Sequence, residues 1–407
     1  MSWLNSKMNI LFLTETDISP LQGGTERITA TLSAEFSRRG HRCYLAYERP
    51  CNLPLADSFA AKLRYEAGHE EQMFSDFLKE YKIDIIVSNL VDIHYKYRLL
   101  PMARRTADAC GAKVVACLHA MPGEEILGNS VRCSIYRMMH GADLKKCLKD
   151  ILLRLAPKRL LEKVFCRRLR NRYRVLYDNA DKVVLLSSRF FEEFSRLGDL
   201  EVDEKFVAIG NALSFSAFLP VEDIGRKEKE VMMLSRMDEK SKRISAALRI
   251  WKRVNLSGKQ DDWRLTIVGG GQDLPYFKML ARRMGLRNVS FEGRQEDSLP
   301  YYRRASIYMM TSAYEGWGIT LTEAQQMGVV PIAWHSYASL PDIIDDGING
   351  VIVPDRDEEA YYNRLSALME DKKGRESMAA NAIRSSQRFS GEKIGDQWLA
   401  LFSSMLE

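Results

Sequence analysis

The stretch YMMTSAYEGWGITLTEAQQMGVVPIAWHSYASLPDIIDDGINGVIV, residues 308–353, decides the fold. An apolar run from Ile307 to Thr311 reads as a buried strand bounded by polar residues. A tight turn follows at Glu315-Gly316-Trp317-Gly318, and Thr320 to Met327 reads as a helix stopped by Gly328. Val329 to Trp334 reads as the next strand. In an open sheet of this kind, ligands bind outside the carboxyl ends of the strands, and helix N-termini favour anions. Glu315 and Glu323 stand eight residues apart, one on the loop leaving the strand and one early in the helix that follows. Two acceptor-only carboxylates beside a glycine turn suit a polyol whose diphosphate rests on the helix start, the description of a nucleotide sugar. Two plainer readings compete. Thr320 and Glu323 have the spacing of a capping box, and Glu315 taken alone is an ordinary loop acid.

Working back from this stretch, the second half of the chain alternates strand and helix from Val231 onward. Strand Val231–Ser235 leads into SRMDEKSKRIS, where Arg236 and Lys242 flank a short loop ahead of a helix near Ser245–Asn255. Two cations there suit a diphosphate leaving group, since they neutralise charge as its bond to a sugar breaks. Lys240 and Arg243 are close enough in sequence to compete for that role, and a solvated charge run is the plainer reading. Strand Arg264–Val268 ends in Gly269-Gly270-Gly271, with Leu274 where a dinucleotide fingerprint needs its third glycine. A P-loop sequence is absent as well, so the dehydrogenase and P-loop readings both weaken.

The first half shows the same alternation. Met8–Thr14 reads as a buried strand, DISPLQGGTER as a loop, and Glu26–Arg39 as an amphipathic helix closed by Gly40. Further strands read at Cys43–Tyr47, Ile83–Ser88, Lys113–His119 and Lys182–Ser187. Gly23-Gly24 permits a close backbone approach to a phosphate or serves as a flexible turn. His119 ends a central strand, where a histidine can donate a hydrogen bond to a sugar hydroxyl or be merely structural. The pattern breaks between Ile209 and Pro220. The expected organisation is therefore an N-terminal Rossmann-like domain over 1–210, a second over 211–387, and a C-terminal helix over 388–407 that packs back across both. The two doubly wound α/β domains are expected to face each other across a cleft.

Composition bounds the function. The 407 residues are 46% hydrophobic and 28% charged, ordinary values for a globular protein, and too many for one core. No run approaches the length of a membrane span, and the start lacks the long apolar region of a signal peptide. The seven cysteines form no C-x-x-C pair, which reads as a reduced, cytoplasmic protein without disulfides or a zinc site. Charge is uneven. Residues 131–174 hold 14 Lys or Arg against three acids, while the rest holds 46 basic residues against 51 acidic. Leu148, Ile151, Leu152, Leu155, Leu160, Leu161, Val164, Phe165 and Leu169 interleave with these cations, and Pro157 divides the segment into two helices. The pattern fits an amphipathic surface for an anionic membrane, a packed helix with a solvated basic face or, least well, nucleic-acid binding.

Taken in order, these pieces resemble glycosyltransferase family 4, the retaining group 1 glycosyltransferases of GT-B fold. GGTERITATLSAEFSRRGH resembles the family's N-terminal glycine loop and helix, and His119 falls at its sugar-contacting histidine. IGNA with Asn211 resembles the start of the interdomain link, SRMDEKSKR the Arg…Lys phosphate pair, EGWGITLTEA the E-x7-E signature, and DDGINGVIV the closing segment. The resemblance implies that Arg236 and Lys242 bind the donor diphosphate. It implies that Glu315 and the backbone of Gly316, Trp317 and Gly318 hold the donor sugar, that Glu323 holds the ribose, and that Gly24 lies near the phosphates. It implies a nucleotide-sugar donor, a UDP-sugar foremost, a glycan or polyprenyl-linked acceptor, and neither cofactor nor metal. Two departures stand out: Gln325-Gln326 replaces a small or Met-Ala pair, and Tyr337-Ala338 stands where many members have two glycines. A sugar-nucleotide epimerase of the same fold and a non-catalytic membrane-associated subunit are the competing functions.

Overall fold

The structure, a computed structural model, describes residues 7–66, 68–90, 93–124 and 131–407; residues 1–6, on which the reading of the N-terminus partly rests, and the side chain of His94 lie outside them. The chain divides into two compact units. Met1–Gly123, Phe165–Ser214 and Arg388–Glu407 form the first, and Glu124–Val164 with Phe215–Gln387 form the second.

The first unit is built on strands β1 (Asn9–Leu13), β2 (Arg42–Tyr47), β3 (Ala61–Arg64), β4 (Ile85–Ser88), β5 (Lys113–Leu118), β6 (Lys182–Leu185) and β7 (Phe206–Ala208). They form one sheet in the order β3-β2-β1-β4-β5-β6-β7, parallel throughout. Ile10, Leu11, Phe12 and Leu13 of β1 are completely buried, as a strand covered on both faces must be. Its helices are α1 (Gly24–Arg38), α2 (Glu70–Tyr81) and α3 (Ile93–Cys110). Strands β3 and β7 went unread in the sequence: each is only a few residues long and lies at an edge, where little apolar signal is needed.

Between β5 and β6 lie α4 (Val131–Met139), α5 (Leu144–Leu155) and α6 (Lys158–Asp178), followed after β6 by α7 (Phe191–Gly198). Pro157 does separate two helices, since its ring cannot continue α5. Residues 124–164, expected in the N-terminal domain, instead pack with the second unit.

The second unit holds β8 (Glu230–Leu234), α8 (Glu239–Lys242), α9 (Ile244–Ser257), β9 (Arg264–Val268), α10 (Leu274–Arg283), β10 (Val289–Gly293) and α11 (Leu299–Arg304). These are followed by β11 (Ile307–Met310), α12 (Ile319–Gln326), β12 (Val330–His335), β13 (Val351–Pro354), α13 (Glu358–Glu370) and α14 (Lys372–Ser386). Its parallel sheet runs β10-β9-β8-β11-β12-β13, so strand order reverses between β8 and β11. That reversal is the topological switch point at which such sheets bind ligands.

The last helix, α15 (Gly391–Leu406), belongs to the first unit and packs on α1. Phe402 meets Phe36 edge-on at 5.8 Å, and Arg39 Nη1 holds Asp396 at 2.6 Å. The fold is GT-B, two parallel-sheet α/β domains.

Candidate functional site

The loops leaving β8 and β11 flank the switch point of the second sheet, and backbone bonds tie the β8 loop both to the loop leaving β9 and to the one leaving β11. Met237 donates its N–H to the Gly270 carbonyl at 2.9 Å, and Ala313 donates to the Ser241 carbonyl at 2.7 Å. The triple glycine owes its composition to this packing. Gly269 has φ +137°, and a Cβ on it would come within 1.8 Å of the Ser235 carbonyl oxygen; at Gly271 the Met237 carbonyl oxygen would lie at 2.5 Å. Glycine is required at both positions so that two backbones can touch.

Asp238 caps α8 by accepting from Lys240 N at 3.3 Å and from Ser241 Oγ at 2.7 Å. The cap turns the short helix so that Lys242 reaches the next loop, where its Nζ holds Glu315 Oε1 at 2.5 Å. Ser312 Oγ donates to the same oxygen at 2.6 Å. Both partners are largely withdrawn from water, with Lys242 18% and Glu315 14% exposed. Glu315 is therefore not a solvated loop acid, and Lys242 rather than Lys240 is the cation held at the turn. Arg236 stands apart, 71% exposed, with Asp238 Oδ2 at 3.9 Å. Arg243 is held elsewhere, bonded to Asp355 at 2.6 Å, and burial lowers its pKa from the usual arginine value.

The turn itself rests on buried groups. Gly318, at φ +96°, is the N-cap of α12, and a Cβ there would press on the Tyr337 hydroxyl at 3.2 Å. Tyr337 is buried, and its hydroxyl donates to Met310 Sδ at 3.5 Å, so the departure from two glycines supports the turn from beneath. Trp317 is buried as well, which leaves backbone as the turn's offering at that position. Ser339 Oγ fixes the Gly316 carbonyl at 3.0 Å.

The capping box does not form. The Tyr308 hydroxyl lies 2.7 Å from Thr320 Oγ, and no side chain caps α12. Glu323 is fully buried and accepts from the Tyr302 hydroxyl at 2.9 Å, which makes it a support inside the domain. Gln325 and Gln326 are buried too, donating to Ile343 O at 3.1 Å and Phe215 O at 2.8 Å, so the Gln-Gln departure serves packing.

Sequence reading missed Arg137. From α4 its Nε and Nη2 grip the two oxygens of Asp273 at 2.6 Å each, and Asp273 also accepts from Glu239 N at 2.8 Å. Asp273 is completely buried, at the foot of α10 directly behind the cation loop. Burial opposes the Arg137 charge, yet its bonds to Asp273 raise its pKa above the usual arginine value. No sequence signal joined two residues 136 positions apart, although an Arg set between Tyr136 and Met138 in a short helix is a cue to look for a buried acid.

In the first unit, Gly24 is exposed as the first residue of α1 rather than part of the preceding loop. His119 follows β5, and its Nε2 lies 3.0 Å from Asn89 Oδ1. Burial, with Lys96 adding to it, pushes His119 down to about 4, so its ring is neutral near pH 7. Among the described residues no cluster of three or more His, Cys, Asp or Glu side chains is placed to hold a metal ion.

Residues 216–385, nearly the whole second unit beyond its helical insert, match the family model described as Glycosyl transferases group 1. A Campylobacter jejuni α-1,4-N-acetyl-D-galactosaminyltransferase acting on a diNAcBac-PP-undecaprenol-linked glycan is 24% identical over 57% of this chain and 62% of its own length. The amylovoran biosynthesis glycosyltransferase AmsD of Erwinia amylovora is 26% identical over 58% and 63%. The chain thus spans less than two thirds of the length of these relatives. Among solved structures, Anabaena HepE in complex with UDP superposes with TM-score 0.69 at 18% identity, over 98% of this chain and 100% of that one. A glycosyltransferase from Rickettsia africae gives 0.68 at 15% identity over 99% of both. Arg236, Lys242, Glu315 and Glu323 all lie in the segment that matches the group 1 glycosyltransferase model.

Proposed function

We propose that the protein is a retaining, metal-independent glycosyltransferase that moves a sugar from a UDP-sugar to a glycan or polyprenyl-linked acceptor in surface-polysaccharide synthesis, such as that of capsule or lipopolysaccharide. The observation that carries this reading is the contact between Lys242 and Glu315 at the switch point of the second sheet, inside the segment that matches group 1 glycosyltransferases. The UDP bound to HepE and the undecaprenyl-linked substrate of the Campylobacter relative support the donor and acceptor classes.

In this reading Arg236 and Lys242 bind the diphosphate, so that Lys242 exchanges part of its contact with Glu315 for a phosphate oxygen. Glu315 and the Gly316–Gly318 backbone hold the sugar, Glu323 holds the ribose, Gly24 lies near the phosphates, and His119 contacts the sugar. The bond between the anomeric carbon and the diphosphate oxygen breaks on the face where the acceptor oxygen bonds. The acceptor's proton passes to the departing diphosphate, whose charge the two cations stabilise.

Thermal unfolding in EDTA with UDP, GDP, ADP or CMP tests the donor class. One nucleotide at 100 times its Kd stabilises the fold by about 2.7 kcal/mol, a shift of roughly 5–10 °C for a unit of this size. The shift is expected with UDP and is expected to shrink in Arg236→Ala, whose exposed side chain can be removed without disturbing the core. No shift with UDP, or one that appears only when Mg²⁺ is restored, contradicts the proposal.

The basic insert adds a partner. Leu144, Leu148, Leu152 and Leu155 lie exposed at helical spacing on α5, and Leu160 and Val164 are exposed on α6. Lys145, Lys146, Lys149, Arg154, Arg159 and Lys163 lie exposed among them. Leu161 and Leu169, counted in the same apolar pattern, are buried instead. No helix of the described residues is long and apolar enough to cross a membrane. We propose that this face rests on an anionic bilayer, placing the protein at the cytoplasmic surface of a membrane without nucleic acid as a partner. Sedimentation with phosphatidylglycerol vesicles is expected to fall steeply as salt rises from 0.05 to 0.5 M and to fail with Leu148→Glu/Leu152→Glu. Binding that ignores salt, or no binding at low salt, would sink this part.

A further inference from the structure

The order of the first sheet reverses between β1 and β4, and Asn89 is the first residue after β4, at that reversal. It is buried, and its backbone N–H donates to the Leu13 carbonyl at 3.0 Å, which fixes its place. Its side chain lies in a chain of bonds whose direction can be worked out. The Thr29 hydroxyl donates to the Thr25 carbonyl at 2.8 Å, so its one proton is spent. Thr29 Oγ therefore accepts at its other contact, from Asn89 Nδ2 at 2.8 Å. That sets the amide with its oxygen toward His119, 3.0 Å from Nε2. An amide oxygen only accepts, so Nε2 carries the ring proton and donates it. In a neutral imidazole the other nitrogen, Nδ1, then holds a lone pair and no hydrogen. Nδ1 is buried and has no hydrogen-bond partner among the described residues.

We propose that Asn89 is a positioning residue that locks His119 in the Nε2–H form, so that His119 meets substrate as a hydrogen-bond acceptor at Nδ1. A buried acceptor left unpaired costs stability, and a hydroxyl donating to Nδ1 in the bound state removes that cost. The ligand chemistry follows: a substrate hydroxyl is received here, whereas a carboxylate or carbonyl oxygen at the same spot meets a lone pair. This replaces the expectation from sequence that His119 donates. The charged group acting on the ring is Lys96 of α3, itself buried, and its charge disfavours the imidazolium that would abolish the acceptor. The proposal rests on the reading of His119 as a sugar contact.

Two measurements test it. The first needs no ligand: long-range nitrogen-15 spectra of the histidine rings from pH 4 to 8, with His119 assigned by its loss in His119→Gln. Wild type is expected to show the Nε2–H form of a neutral ring down to about pH 5. Asn89→Asp places a carboxylate against Nε2–H, which favours the charged ring, so protonation should move up by one pH unit or more. Asn89→Leu should mix the two neutral forms. The Nδ1–H form in wild type, or spectra unmoved by both Asn89 variants, would overturn the proposal. The second is UDP release from UDP-glucose, UDP-galactose and UDP-N-acetylglucosamine with water as acceptor. Asn89→Asp should carry the acid limb of kcat/KM upward with the ring's protonation. An unchanged rate in His119→Ala would remove His119 from the reaction while the ring spectra still judge Asn89.

Discussion

Replacing Lys242 with alanine is expected to lower the rate of UDP release from a UDP-sugar roughly 100- to 1000-fold, the usual loss when one preorganised charge-stabilising donor is removed. The protein should nevertheless stay folded. Glu315 keeps its bond from Ser312 Oγ, so the lost contact should cost about 1–3 kcal/mol, the usual penalty when a largely buried polar group loses one of its partners. Lys242→Arg should recover part of the rate, because the charge returns in a different shape. Glu315→Gln is expected to impair both binding and turnover, since it weakens the anchor of Lys242 and removes the acceptor that faces the sugar. The informative comparison is Lys240→Ala. If that variant loses turnover and Lys242→Ala does not, the phosphate cation has been misassigned and the Lys242–Glu315 contact is only a brace.

Removing Arg137 should act on stability. Arg137→Ala strips a completely buried carboxylate of two charge-assisted bonds and leaves Asp273 with the Glu239 amide, which costs about 3–5 kcal/mol in buried pairs of this kind. For a unit of this size that lowers its Tm by roughly 6–20 °C. The double change Arg137→Met/Asp273→Leu should recover much of the loss, because the penalty comes from an orphaned charge more than from a missing attraction. A loss below about 1 kcal/mol in Arg137→Ala, measured by chemical unfolding of the whole chain, would mean that water or a rearranged loop satisfies Asp273.

The alternation of strand and helix was plain in the sequence because parallel strands covered on both faces are continuous apolar runs, as at Leu11–Leu13 and Ile307–Met310. Glu315 and Lys242 were legible because short loops at strand ends leave them few places to go. What escaped notice depended on distance. Arg137 meets Asp273 only once the chain has folded, and the basic composition of the insert that carries it marks the segment without saying which unit it packs with. Thr320 and Glu323 had the right spacing for a local cap, yet tertiary partners, Tyr308 and Tyr302, claimed both side chains. The glycines after β9 fell short of a dinucleotide fingerprint, and Gly269 and Gly271 serve instead to admit another backbone.

That last feature bears on how such a protein can be altered. Because Gly269 and Gly271 lie flush against Ser235 and Met237, the two loops behave as one part with two separate addresses in the sequence. A cation loop transplanted alone from a relative would arrive without its mate, and a side chain grown at either glycine would lift Arg236 and Lys242 away together. Exchange of donor preference between relatives should therefore succeed when both segments travel as a cassette. Selection for new donors should reach first for the exposed Arg236 side, where a change disturbs no seam.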